Sequence, residues 1–243
     1  MDAFLVIAGN PAALAAPDFV GRASAAVRIA VDPGAVLWTD AGEGFVFAAV
    51  TGARISDAVF ATTDAAGGMT YVAGPVRRLD ETEIGRDEAT RRVAALRSAL
   101  LACDPAAGLV ALTGSFHAVV HDPDRCRTTI VTDRLGSRPV FAAEINGTRC
   151  WSSDLRCLLA LPGMDPTLDL DALAQLVRIQ TILEDRTLYR AIRMVAPGTW
   201  VRVDHRADAV AETRYWSLSR PAPFRTFEEA IEGTAWAFRA ASR

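Results

Sequence analysis

His117 and His121 are the first residues to weigh for chemistry, because H-x-x-x-H on a helix is a zinc-binding spacing. Residues 115–120, however, alternate and are rich in β-branched and aromatic types, which reads as a strand. Four positions along a strand share a face but lie ~13 Å apart at ~3.3 Å per residue. One ion with bonds of ~2 Å cannot bridge that gap, so no metal site is expected. The cysteines, Cys103, Cys126, Cys150 and Cys157, contain no C-x-x-C pair. They read as reduced thiols, with Cys150 and Cys157 in the core. All 26 basic residues are arginine, so a Schiff-base lysine and a phosphate-loop lysine are both excluded. No Walker A loop or dinucleotide glycine pattern is present. Asp133-Arg134-Leu135-Gly136 reads as a turn, Gly136 supplying a positive φ and Arg134 pairing locally.

The elements that must position these residues are legible in part. Between 112 and 161 the chain reads as strands at 115–120, 128–132, 139–143 and 149–152, then a helix from Asp154. The breaks are Asp122-Pro123-Asp124, the 133–136 turn and Asn146-Gly147, a strong hairpin signal. Upstream, 45–50 and 69–73 look like strands, with Gly67-Gly68 and Gly74-Pro75 as turns. A helix spans 87–102 on the stripe Ala89, Val93, Leu96 and Leu100. Another runs over 169–177, with Asp169 as N-cap. Trp200 to Val203 is a strand, and 12–34 is Ala-rich with weak punctuation. Pro221-Ala222-Pro223 reads as a linker. Beyond it Thr226 and Glu229 form a capping box for a helix bearing Ile231, Ala235 and Phe238.

At 243 residues the chain can bury a full core. Its net charge of −3 is spread along the sequence, which argues against a nucleic-acid surface. The acidic second residue and short apolar start fit neither a signal peptide nor a membrane span. A cytoplasmic protein is expected.

The segment 110–216 resembles the N-terminal, glutaminase-like domain of the asparagine synthetase family. Gly114, Phe116, Asp122, Asp133, Arg134, Gly136, Pro139, Ser153, Leu158 and Leu159 match its motifs in order. So do Leu168-Asp169, Thr187-Leu188-Tyr189, Ile192, Ala196-Pro197-Gly198 and Tyr215-Trp216. The resemblance implies an α+β fold, the four-layer αββα sandwich of N-terminal-nucleophile (Ntn) hydrolases, with two antiparallel sheets between helices.

In that family the nucleophile is a cysteine exposed by removal of Met1, whose own amine can serve as base. Here the position holds Asp2. The family's Asn-Gly-Glu oxyanion turn corresponds to Ala73-Gly74-Pro75, so Ala73 replaces the oxyanion Asn. Losing one such donor costs ~10²–10³ in rate, and losing the nucleophile as well should abolish glutaminase activity. Weak remnants of a substrate pocket would be Arg54, Gly74 and Asp87, although Arg54 also fits a solvated arginine and Asp87 a helix N-terminal acid. For Asp133 and Arg134 the family suggests contact with a neighbouring domain, against the local turn read above.

Family members without the cysteine include β-lactam synthetases and lasso-peptide cyclases, and Gly114-Ser115-Phe116-His117 looks like the cyclase branch. The expectation is a catalytically inactive domain of an ATP-dependent amide-forming ligase. It would comprise 1–218 as the glutaminase-like domain, 219–225 as linker and 226–243 as the start of a synthetase domain. ATP and Mg would be needed only by that domain; this chain should carry no cofactor. Its partner would be a synthetase domain or subunit contacted through 226–243, with a peptide substrate as a further candidate and neither nucleic acid nor membrane. One alternative is a free-standing regulatory subunit that docks a separate synthetase. Another is an Ntn-type hydrolase activated by cleavage before Thr113 or Ser115.

Overall fold

The computed structural model describes residues 3–9, 19–29, 36–42, 45–51, 59–64, 67–78, 86–219, 224 and 226–241. In chain order the elements are β1 (Ala3–Ala8), α1 (Phe19–Ile29), β2 (Val36–Gly42), β3 (Phe45–Thr51), β4 (Val59–Thr63), β5 (Met69–Ala73) and β6 (Val76–Arg78). Next come α2 (Arg86–Leu101), α3 (Ala106–Val110), β7 (Leu112–Gly114), β8 (His117–Asp122), β9 (Arg127–Thr132), β10 (Phe141–Ile145) and β11 (Thr148–Ser152). The rest are α4 (Leu155–Leu159), α5 (Leu170–Ile179), β12 (Ile192–Met194), β13 (Thr199–Asp204), β14 (Ala209–Arg214) and α6 (Phe227–Ala241).

Two six-stranded sheets form the centre, ordered β12-β10-β11-β1-β3-β2 and β14-β13-β9-β8-β5-β4. Every pairing within them is antiparallel. The residues of β1 explain the layering. All six are buried, because the strand has a core on each face. Phe4, Val6 and Ala8 pack between the sheets with Phe47, Tyr71, Val119 and Ile130. Ala3, Leu5 and Ile7 face the other way, toward Ala26 and Val27 of α1 and Cys157 and Leu158 of α4. Behind the second sheet, Ala118 and Val120 pack against Leu96 and Leu100 of α2 and Leu109 of α3. The strand period of two thus fills three layers of core. The chain is the four-layer αββα sandwich.

The helix caps expected at Asp169 and Thr226 are present, and Asp154 adds a third. Asp154 accepts the Arg156 amide at 2.9 Å, and Asp169 accepts those of Asp171 and Ala172 at 3.0 and 3.1 Å. Thr226 accepts the Glu229 amide at 3.2 Å. Strand β8 begins two residues later than the sequence suggests. The amide of Phe116 goes to the Asp133 carboxylate at 3.2 Å instead of to a neighbouring strand. Pairing of β10 likewise starts at Phe141, since Pro139 has no N–H to offer.

Candidate functional site

Four segments meet at one end of the sandwich: the start of β1, the end of β5, the approach to β8 and the 133–138 turn. The start of β1 is pinned by the residues after β11. Phe4 donates its amide to Ser153 Oγ at 3.0 Å, and its carbonyl accepts from Ser152 Oγ at 2.6 Å and the Ser153 amide at 3.3 Å. Ser153 is one of the motif residues, and its physical task is to fix the backbone two positions beyond Asp2. Asp2 itself lies outside the described residues, as does Arg54.

Asp133 organises the turn opposite. Its carboxylate is fully buried and accepts amides from Phe116 at 3.2 Å, Leu135 at 2.9 Å, Ser137 at 3.2 Å and Arg138 at 3.4 Å, plus the Ser137 hydroxyl at 3.2 Å. Its backbone carbonyl accepts from Gly136 and Gly198 at 3.1 and 2.8 Å. Gly136 has φ +62°, and a Cβ there would come within 3.0 Å of the Pro197 ring. Two sequence motifs, 133–136 and 196–198, therefore interlock. Arg134 donates to the carbonyl of Val110 and lies over the Trp216 ring at 5.7 Å. Asp133 is engaged by its own turn and Arg134 by its own chain, the local arrangement that the turn reading expects.

Gly74 sits at the centre of the site with φ +99°. A Cβ on it would fall 2.0 Å from the Ser115 carbonyl and 2.6 Å from Arg138 Nε, so only glycine fits this close approach. Arg138 Nε donates to that carbonyl at 3.2 Å, covering the turn. Ala73 is buried, belongs to the inter-sheet core and pairs with His117 in register. Its methyl group offers no donor to a developing oxyanion. His117 lies edge-on to Phe4 at 5.1 Å and stacks with Tyr71 at 6.1 Å. Burial, and secondarily the Arg138 charge, lower its pKa to about 3. It is a neutral imidazole at physiological pH, and neither ring nitrogen makes a hydrogen bond within the described residues. Asp87 is the second residue of α2.

No thiol serves this site among the described residues. Cys150 and Cys157 belong to the core between the first sheet and its helices. Burial pushes their pKa values up to about 12 and about 11, so both stay protonated. Cys103 is exposed and Cys126 half-buried, both unpaired. Among the described residues no three His, Cys, Asp or Glu side chains converge to hold a metal ion, and no helix is long and apolar enough to cross a membrane.

His121 lies on the same strand face as His117 but meets different partners: it stacks on Phe45 at 3.9 Å and approaches His205 at 5.8 Å. Arg138, Ser152 and His205 all take part in these arrangements and none stood out in the sequence. Arg138 sits beside the 133–136 motif and Ser152 beside Ser153, so adjacency could have found them. His205 could not have been found this way: it reaches Thr128 from 77 residues away.

Residues 100–216 match the family model for the glutamine amidotransferase domain. Proteins of Mycobacterium tuberculosis and Mycobacterium bovis, provisionally named asparagine synthetase (glutamine-hydrolyzing), are 32% identical over 110 residues. The alignments cover 43% of this chain and 17% of those proteins, so the chain spans about a sixth of their length. Among solved structures, the glutamine phosphoribosylpyrophosphate amidotransferase of B. subtilis superimposes with TM-score 0.50 at 11% identity, over 88% of this chain and 49% of that one. A structure described as the allosteric regulatory enzyme of purine biosynthesis gives 0.51 at 12%, with the same coverages. At such identity these two speak for the fold alone. Just under half of the chain is thus similar to the glutamine amidotransferase domain and to part of the mycobacterial proteins named for asparagine synthetase, and its fold is the Ntn-type sandwich.

Proposed function

We propose that this chain is a catalytically silent glutaminase-like domain of an ATP-dependent amide-forming ligase. The observation that carries this is Asp2 at the position where the family keeps its N-terminal cysteine. A carboxylate there cannot act as the acyl-transfer nucleophile whose own amine is the base. Ala73 in place of the oxyanion donor, and the Ser115 carbonyl and Arg138 lying over Gly74, support the same reading.

A ligase of this kind joins a carboxylate and an amine of one substrate molecule, so it needs no ammonia. Peptide cyclisation of the lasso type is the proposed reaction, in the cytoplasm, with ATP and Mg bound by a synthetase domain and not by this chain. The proposed organisation is a glutaminase-like domain over 1–218, a linker at 219–225 and a docking helix from 226. Residues 220–223 and 225 of that linker lie outside the described residues. Helix α6 carries Phe227, Ile231, Trp236 and Phe238 in exposed positions, which supports docking on a partner. That exposure equally suits a free-standing regulatory subunit that binds a separate synthetase.

The variant Asp2→Cys tests the reading, since a small second residue allows Met1 to be removed. It should release no glutamate from glutamine, because Ala73 still supplies no donor. Glutamate production by this single variant would overturn the role given to Ala73, and glutamate release by the unaltered chain above a protein-free control would overturn the proposal.

A further inference from the structure

We propose that Arg125, Arg127 and Arg202 form a binding pocket for a phosphate group, carried by the free ion or by a small phosphorylated metabolite. The strand period places them. Ala118 and Val120 of β8, Val131 of β9 and Trp200 of β13 face the helices of the second sheet, so Asp122, Arg127 and Arg202 continue that face. Helix α2 ends at Leu101. Past that end lies an open pocket, about 310 Å³ including the solvent at its mouth, lined by the three arginines with Asp122, Cys103 and Thr129. Arg202 is opposite Thr129 and Arg127 opposite Asp204, which makes the two arginines diagonal neighbours with backbones ~7–8 Å apart.

The charges in this pocket do not balance. Arg125 pairs with Asp122 through Nη1 at 2.7 Å, and Arg127 with Asp204 through Nε at 3.0 Å. The other guanidinium N–H groups of both are unused within the described residues. Arg202 has no carboxylate partner among them. It donates to the carbonyls of Cys103, Ala102 and Leu100 at 3.0, 2.9 and 3.4 Å, and its guanidinium lies over the Trp200 ring at 4.9 Å. These contacts hold the group in place, but a helix C-terminus offers only about half a negative charge. Asp104, close by in sequence, accepts the Ala106 amide at 2.9 Å and does not line the pocket. Three guanidinium groups thus share two carboxylates, and an anion between them would relieve their repulsion. A phosphate group carries about −1.5 to −2 charge near pH 7 and three acceptor oxygens. It can take donors from Arg125 and Arg127 together, whereas a carboxylate offers one flat pair of oxygens. The pocket is separate from Gly74, because His117 begins β8 and Asp122 ends it.

NMR of the whole ¹⁵N-labelled chain at physiological salt provides the test. The probes are inorganic phosphate and adenosine monophosphate, with acetate as the carboxylate control. Both phosphates should shift the signals of Arg125, Arg127 and Arg202 saturably at millimolar concentration, and acetate should not. Tighter binding of the nucleotide would assign the pocket to a phosphorylated metabolite, and equal binding to the free ion. Arg127→Gln should weaken phosphate binding about tenfold or more. Arg125 is the more exposed of the pair, and Arg125→Gln is a second variant with the same expected loss. Arg149→Gln breaks a comparable ion pair, with Asp208 at 3.3 Å, and should leave binding unchanged. The same spectra show whether each variant is folded. No saturable shift, equal shifts with acetate, or unchanged affinity in both Arg125→Gln and Arg127→Gln would overturn the proposal.

Discussion

The Asp133 carboxylate collects donors from Phe116, Leu135, Ser137 and Arg138, so removing it strands several backbone amides in a dry place. Each unpaired buried group costs ~1–3 kcal/mol. Asp133→Ala should therefore destabilise the chain by at least about 3 kcal/mol, read as a lower urea midpoint at unchanged slope. The buried histidines make a second prediction. The pKa values of His117 and His121 are lowered from 6.5 to about 3 and about 4. As pH falls below about 6.5, the unfolded chain takes up protons that the folded chain refuses, so stability falls. The loss continues until the folded values are reached, and for His117 is on the order of 3–5 kcal/mol. Urea midpoints measured from pH 7.5 to 4 should drop steadily, and His117→Phe should flatten that slope. An identical slope in the variant would contradict neutral burial of His117. Both inward-facing histidines follow from the strand period in the sequence. What they touch does not, because Phe4, Tyr71, Phe45 and His205 come from distant segments.

Helices and strands with a strong period are legible in the sequence itself: 45–50, 69–73 and 128–132, the stripe of α2 and the caps of α5 and α6. Other elements are hidden for physical reasons. Helix α1 falls in an Ala-rich stretch whose residues favour a helix without marking its ends. Strands β6 and β7 are three residues each and exist through their mutual pairing. Strand β14 is exposed throughout, so burial imposes no apolar alternation on it. Helix α6 shows the converse, a clear period without a full covering. Ile231 is 53% and Phe238 73% exposed, and an isolated helix of about four turns is marginal in water. Amides 226–240 should therefore exchange quickly in the isolated chain and slow when a cognate synthetase domain is added. Strong protection in a lone monomer would show that α6 is held by its own domain.

On the proposed function, the molecule as a whole pairs an Ntn-type sandwich with a site that lacks glutaminase chemistry. Motifs at 133–136, 151–154 and 196–198 persist because they build the fold: each pins one strand end to another through buried hydrogen bonds. The fold is compatible with a silent site, and on the proposed reading the amide-forming chemistry belongs to a partner. Glutamine labelled with ¹⁵N at its side-chain amide, followed by NMR in the presence of the purified chain, tests this most directly. The account predicts no labelled ammonium above a protein-free control over a day; ammonium accumulating in proportion to protein concentration would contradict it.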